Sequence, residues 1–279
     1  MILHRKAEEP WLLLFTKAAT LRSLVLVMAL LWLRQASAGP VTVRFVEGVT
    51  HGFLVLHTVD RVPIATGDLL QVQRGGHIDS RMVFRFTDGS LYDEAVVFTQ
   101  ERVFTLQSYH LVHRGPAFTE DTEIALQRAS RKYRVKTKAR QNGREEVLNG
   151  TLDLPPDVYN GMVITVAKNL PKGTSETVHI VAFTPTPRLV QLEFVPAGEQ
   201  NVLIGELEKI ATHYVLKPRL GIWLKLFATL LGRIPPDSHA WLINDELPAF
   251  VRFEGQLVTA GPVWRIETTS PRWPDQPKH

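Results

Sequence analysis

Residues 133–152 read YRVKTKARQNGREEVLNGTL, and the fold class follows from how they alternate. Tyr133, Val135, Thr137 and Ala139 interleave with Arg134, Lys136, Lys138 and Arg140, the period-two pattern of a strand with one buried and one wet face. Asn142-Gly143 then supplies a dipeptide suited to positive φ at both centres of a two-residue hairpin turn. Pairing Gln141 with Arg144 sets Arg140 opposite Glu145, Thr137 opposite Leu148 and Tyr133 opposite Leu152, so one face is mainly apolar and the other carries the charges. The expectation is an antiparallel hairpin. Between Arg128 and Arg144 there are eight basic residues and no acid. Arg134, Lys136, Lys138 and Arg140 are therefore the candidate strip for an anionic lipid, a polysaccharide or an envelope protein, although the solvated side of a strand looks the same.

Outward from the hairpin, the alternation continues. Thr42, Arg44 and Val46 alternate with Val43, Phe45 and Glu47. Further runs at Phe53 to His57, Ile64 to Gln73, Met82 to Phe86, Glu94 to Phe98, Val103 to His113 and Glu123 to Leu126 are parted by turn signals such as Gly75-Gly76 and Asp88-Gly89. This predicts an antiparallel meander from Val41 to Leu154. Strands are expected again at Thr177 to Phe183, Leu189 to Val195 and Glu206 to Leu216, with closing strands at Ala240 to Ile243, Phe250 to Phe253 and Val263 to Thr268. With no repeat and no long linker, one continuous sheet is the simplest account.

Two stretches break the pattern. After Pro155-Pro156, the residues Val158, Met162, Val166 and Leu170 recur every fourth position, which predicts a helix from Asp157 to Leu170 with the Asp157 carboxylate at its positive end. The second stretch, residues 216–237, reads LKPRLGIWLKLFATLLGRIPPD. Glycine and proline on both sides bound a short helix from Ile222 to Leu231, too short to span a bilayer. Ile222, Trp223, Leu226, Phe227, Leu230 and Leu231 cover most of it. With Val158, Met162 and Val166 they form either the lining of a hydrophobic ligand cavity or a plug for the open side of the sheet. Burying six large apolar side chains is worth about 12 kcal/mol before entropy, which favours the plug.

Residues 1–38 read as a signal peptide: basic residues up to Arg22, an uncharged run from Ser23 to Leu33, then Ala36-Ser37-Ala38 as a cleavage site. Residues 39–279 are then a single β-rich domain, with no transmembrane segment left after signal removal. Of 32 Lys and Arg and 28 Asp and Glu, five and two fall in the signal, which leaves 27 and 26. That balance argues against nucleic acid as a partner. The chain has no cysteine, so disulfides, thiolate ligands and cysteine nucleophiles are excluded.

The segments from Leu152 to Gly161, Leu231 to Asp237 and Pro262 to Glu267 resemble those of an uncharacterised family of exported bacterial β-sheet proteins, a domain of unknown function. That family is distantly similar to the half-barrel of periplasmic lipoprotein carriers. The resemblance covers most of the mature chain and implies a mainly β fold: a strongly curved antiparallel sheet, half-barrel or incomplete barrel, with one or two short helices covering the concave side.

The chemistry is sparse. There is no HExxH, and His110 and His113, three apart in a strand, point to opposite faces, so no metal site is expected. No nucleophile elbow or phosphate loop occurs, and the paired acids lie in turns. The chain therefore reads as no enzyme, with no cofactor. The expected function is that of a soluble envelope protein, periplasmic or secreted, binding a lipid-like or hydrophobic small molecule in a half-barrel cavity. The alternatives are a structural or interaction protein with a filled core, and an uncharacterised enzyme.

Overall fold

The structure, a computed structural model, describes residues 38–183, 186–204, 207–219, 235–243 and 245–269. Alternation produces strands throughout: β1 (Thr50–Thr58), β2 (Pro63–Arg74), β3 (His77–Phe86), β4 (Leu91–Gln100), β5 (Phe104–Arg114), β6 (Glu120–Gln127), β7 (Lys132–Ala139) and β8 (Glu145–Thr151), then β9 (Glu176–Phe183), β10 (Pro187–Ile204), β11 (Leu207–Arg219), β12 (Ser238–Ile243), β13 (Ala249–Gln256) and β14 (Val263–Thr269). All fourteen join one sheet in the order β8-β7-β6-β5-β4-β3-β2-β1-β14-β13-β12-β11-β10-β9. Each half is an antiparallel meander, and β14 returns to pair with β1, Leu54 facing Thr268 and Leu56 facing Ile266. β8 and β9 follow each other in the chain yet form the two opposite edges.

The sheet is strongly curved and does not close into a barrel. Tyr109 on β5 and Phe183 on β9 stack with ring centroids 6.1 Å apart. Ten strand spacings separate them, which in a flat sheet would be about 48 Å. Within the roll, alternate side chains of every strand meet in one core that includes Leu56, Phe84, Phe98, Phe194 and Tyr214. At one end, β10 and β11 run on beyond β12 as a two-stranded arm on which Leu203, Leu207 and Ile210 are exposed.

Two non-strand segments correct the sequence reading; the first buries only Val41 and Glu47, and the second packs into the core. Residues 41–47 form no strand beyond a bridge from Thr42 to Val103. Val43 N–H donates to the Arg102 carbonyl (3.0 Å), but three amides beyond it are taken by side chains: Arg44 and Phe45 N–H both donate to Asn169 Oδ1 (2.8 and 2.7 Å), and Glu47 N–H donates to Gln100 Oε1 (2.7 Å). The expected helix from Asp157 to Leu170 shrinks to α1 (Val163–Asn169). Its first half is claimed by the sheet. The Asp157 carbonyl accepts from His179 N–H (2.9 Å) and Tyr159 N–H donates to the His179 carbonyl (3.0 Å), so residues 157–159 lie parallel to β9, and Gly161 then turns at φ 68°. Asp157 is thus no helix-end carboxylate, and the first turn of α1 contains no acid.

The hairpin register is also corrected, by two residues. Lys138 faces Glu145, Thr137 faces Glu146, Val135 faces Leu148 and Tyr133 faces Gly150. Residues 140–143 form a four-residue loop closed by Ala139 N–H on the Arg144 carbonyl (2.9 Å), with Gly143 at φ 67°. Tyr133 decides the slip: its ring lies across Gly150, where a Cβ would fall 2.5 Å from the hydroxyl. A shift of two leaves every side chain on its own face, so the facing pattern survives. Residues 1–37, nearly all of the expected signal peptide, and the stretch containing Ile222, Trp223, Leu226, Phe227, Leu230 and Leu231 lie outside the described residues.

Candidate functional site

Val158, Met162 and Val166 are at or below 1% exposure, as is Tyr159 beside them. These positions, expected to line a cavity or plug the sheet, are packed among the chain's own side chains. The Tyr159 hydroxyl accepts from Val41 N–H (2.8 Å) and donates to the Phe104 carbonyl (3.2 Å). The Arg128 guanidinium donates to the carbonyls of Leu106, Leu154 and Pro155, binding the segment that leaves β8 to the inner side of β5.

A polar cluster that sequence reasoning missed lies on the same concave face. Tyr92, Glu94, Val96 and Phe98 share the inward parity of β4, so an acid points into the core. Glu94 Oε1 accepts hydrogen bonds from the Tyr92 hydroxyl (3.2 Å) and from the Tyr109 hydroxyl on β5 (3.1 Å). Burial pushes the Glu94 carboxyl up from its ordinary value, against the pull of the two hydroxyls. Glu94 retains a small accessible surface although protein surrounds it, and Gly161 closes over it, its absent Cβ 3.3 Å from the carboxyl carbon. The inward parity was the available signal; the partner on β5 depends on register.

Asp157 is buried, and its Oδ2 meets His179 Nδ1 at 2.7 Å. This pair sits where residues 157–159 join β9, and the next residue extends the junction. The Asn160 side chain donates to the Val181 carbonyl (2.9 Å) and accepts from Val181 N–H (2.7 Å). A side-chain amide thus imitates a neighbouring strand, and the β9 edge at His179 and Val181 is covered.

The other edge is different. Ala139 N–H bonds to the Arg144 carbonyl and Leu152 N–H to the Arg131 carbonyl, so the parity of the ladder turns the backbone groups of Val147 and Asn149 away from β7. Among the described residues no partner meets them, and Val147 is 49% exposed. Beside this edge lie the basic-strip residues on the outer face of β7. Lys136 and Lys138 reach Glu145 (3.4 and 3.6 Å), and Arg140 in the following loop reaches Asp121 (3.3 Å). Arg134 lines a shallow depression of ≈ 520 Å³ with Lys132, Ala125, Gln127, Asn149 and Thr151. Its floor is low because Ala125, which faces Arg134, is small.

His110 meets Glu123 on the exposed face, whereas His113 is buried against Phe118. Among the described residues no three His, Cys, Asp or Glu side chains are arranged to hold a metal ion, and no helix is long and apolar enough to cross a membrane. No protein-family model matches the chain, and no curated protein matches it. Among solved structures, the chain is similar to the crystal structure of a beta-barrel-like protein of domain of unknown function DUF1849 from Brucella abortus, with a TM-score of 0.41 and 10% identity over 81% of this chain and 98% of that one.

Proposed function

We propose that this chain is an exported protein of the bacterial envelope, periplasmic or secreted, that works through its outer surface as an interaction protein. The observation behind this reading is an asymmetry between the two sheet edges. Residues 157–160 cover β9, while β8 keeps outward-turned amides next to Arg134, Lys136 and Lys138. An uncovered edge is a template for strand addition, and natural sheets usually blunt theirs. The cationic strip selects an anionic partner, and the edge fixes its register.

The carrier reading, a lipid-like ligand held within the roll, requires space. Val158, Tyr159, Met162 and Val166 occupy the part of the interior they line, which supports a filled core instead.

The test is recovery of partners from envelope extracts with wild-type protein and with the charge reversals Arg134→Glu, Lys136→Glu and Lys138→Glu combined. A partner lost on charge reversal supports the proposal, and one retained in full removes the strip from it. Native mass spectrometry of the same preparation tests the carrier reading: repeated recovery with one bound lipid would displace the interaction reading.

A further inference from the structure

His213 on β11 and His239 on β12 occupy diagonal positions of neighbouring strands, His213 facing Trp241 and His239 facing Val215. Their imidazoles meet on the outer face, with His213 Nε2 2.9 Å from His239 Nδ1. Their orientation is not left to chance. The Trp241 indole lies flat on His213, with centroids 4.5 Å apart and planes 3° from parallel. Its own N–H donates to Gln200 Oε1 at 3.0 Å.

The charged groups around the pair are already engaged. Arg252, over the indole at 5.3 Å, donates to Glu267 (2.7 Å). Glu254, opposite His239 on β13, accepts from Arg265 (2.9 Å). The two imidazoles share one nearly in-line N–H···N hydrogen bond, their ring centroids 5.1 Å apart, and both remain half-buried.

We propose that His213 and His239 form a two-imidazole site for a late first-row divalent cation, copper(II) or nickel(II), on the outer face of β11 and β12. Imidazole nitrogens rank copper(II) and nickel(II) above the earlier divalent ions of the row, and two of them already lie 2.9 Å apart on one face, within reach of a single ion at about 2.05 Å once the rings turn toward it. On binding, the proton on the donating nitrogen moves through solvent to the other nitrogen of the same ring. Each ring then swings off the shared hydrogen-bond axis to aim its lone pair at the ion, His213 turning in its own plane on the Trp241 indole. Water fills the remaining positions. The site is independent of the β8 edge and survives the failure of the interaction reading.

Untagged full-length protein titrated with copper(II) sulfate provides the test, because a paramagnetic ion at His213 quenches Trp241. The expected result is saturable one-to-one quenching that disappears in Trp241→Phe, while calorimetry of that variant still shows the binding. Losing a mere hydrogen-bond partner of a ligand costs about tenfold or more, so His213→Gln and His239→Gln should each weaken binding by at least about tenfold. Electron paramagnetic resonance should show two coupled nitrogens in the wild type and one in each single variant. Where His213→Gln fails to fold, by near-ultraviolet circular dichroism, His239→Gln provides the comparison. Unchanged affinity in the single or double variants, one-nitrogen coupling in the wild type, or full quenching in Trp241→Phe would overturn the proposal.

Discussion

Glu94 and His113 show how much a single inward-facing polar residue weighs in this core, and they act in opposite directions. Burial raises the Glu94 pKa above 4.5, so the folded chain holds a proton that the unfolded chain has released. Stability then falls as pH rises from about 4.5 through the raised value. Glu94→Gln removes that penalty: its melting temperature should exceed wild type at pH 7 and approach it at pH 4. A melt series from pH 4 to 8 checks this, and an equal loss at both ends would contradict it. His113 has its pKa lowered by burial from 6.5 to about 4, and among the described residues its Nδ1 meets no hydrogen-bond partner. Here the unfolded chain binds the extra proton, so stability is whole above pH 6.5 and is lost as pH falls toward 4. The loss is about 3 kcal/mol from the two pKa values. His113→Leu should flatten the denaturant midpoint across that window. Both residues sit at inward parity within strands legible in the sequence. Their burial was not legible, because it depends on Phe118 and Tyr109, which other parts of the chain bring to them.

At the scale of elements, the junction of residues 157–160 with β9 replaced half of an expected helix. The apolar spacing of Val158, Met162 and Val166 was real and predicted their burial, but spacing of four suits a helix and a buried turn-and-helix alike. What decided between them was a tertiary partner, the unpaired edge of β9, whose backbone groups bond to Asp157 and Tyr159. Asn160→Ala should cost about 1–3 kcal/mol, because it strips partners from both the N–H and the carbonyl of Val181. Urea denaturation measures that cost, and hydrogen exchange should show faster exchange at Val181 in particular. In the hairpin, the alternating residues from Tyr133 to Ala139 were legible, as was the place of the turn; its type was not, because the loop holds four residues and Gly143, but not Asn142, has positive φ. The two-residue slip was not, because it depends on the fit of the Tyr133 ring over Gly150 rather than on turn propensity.

For the whole molecule, the arrangement of strands leaves one edge covered and one open, and the open edge can be probed without knowing a partner. Proline lacks an amide, so it is tolerated only where that amide makes no ladder bond. Val147 N–H turns outward, so Val147→Pro should cost less than about 1 kcal/mol, while Leu148→Pro, which cuts the bond to Val135, should cost about 3 kcal/mol or more. Thermal melts of the pair decide it, and similar losses in both would mean that β8 is covered on both sides. If β8 receives a partner strand, Val147→Pro should also abolish that binding at nearly wild-type stability, which separates an interaction role from a folding role.

By itself the sequence determined which residues face water and which face the core, because the partition of each side chain between the two is a local property that alternation records directly. The strand-rich class, the single antiparallel sheet and the burial of Val158, Met162 and Val166 all follow from that. Only the tertiary structure decided the two-residue register of the hairpin, the capture of residues 41–47 and 157–160 by distant partners, the Glu94 cluster and the meeting of His213 with His239. Each of these joins groups far apart in the chain or on different strands, and which of them meet is set by register and curvature, quantities of the whole sheet that no window of residues contains.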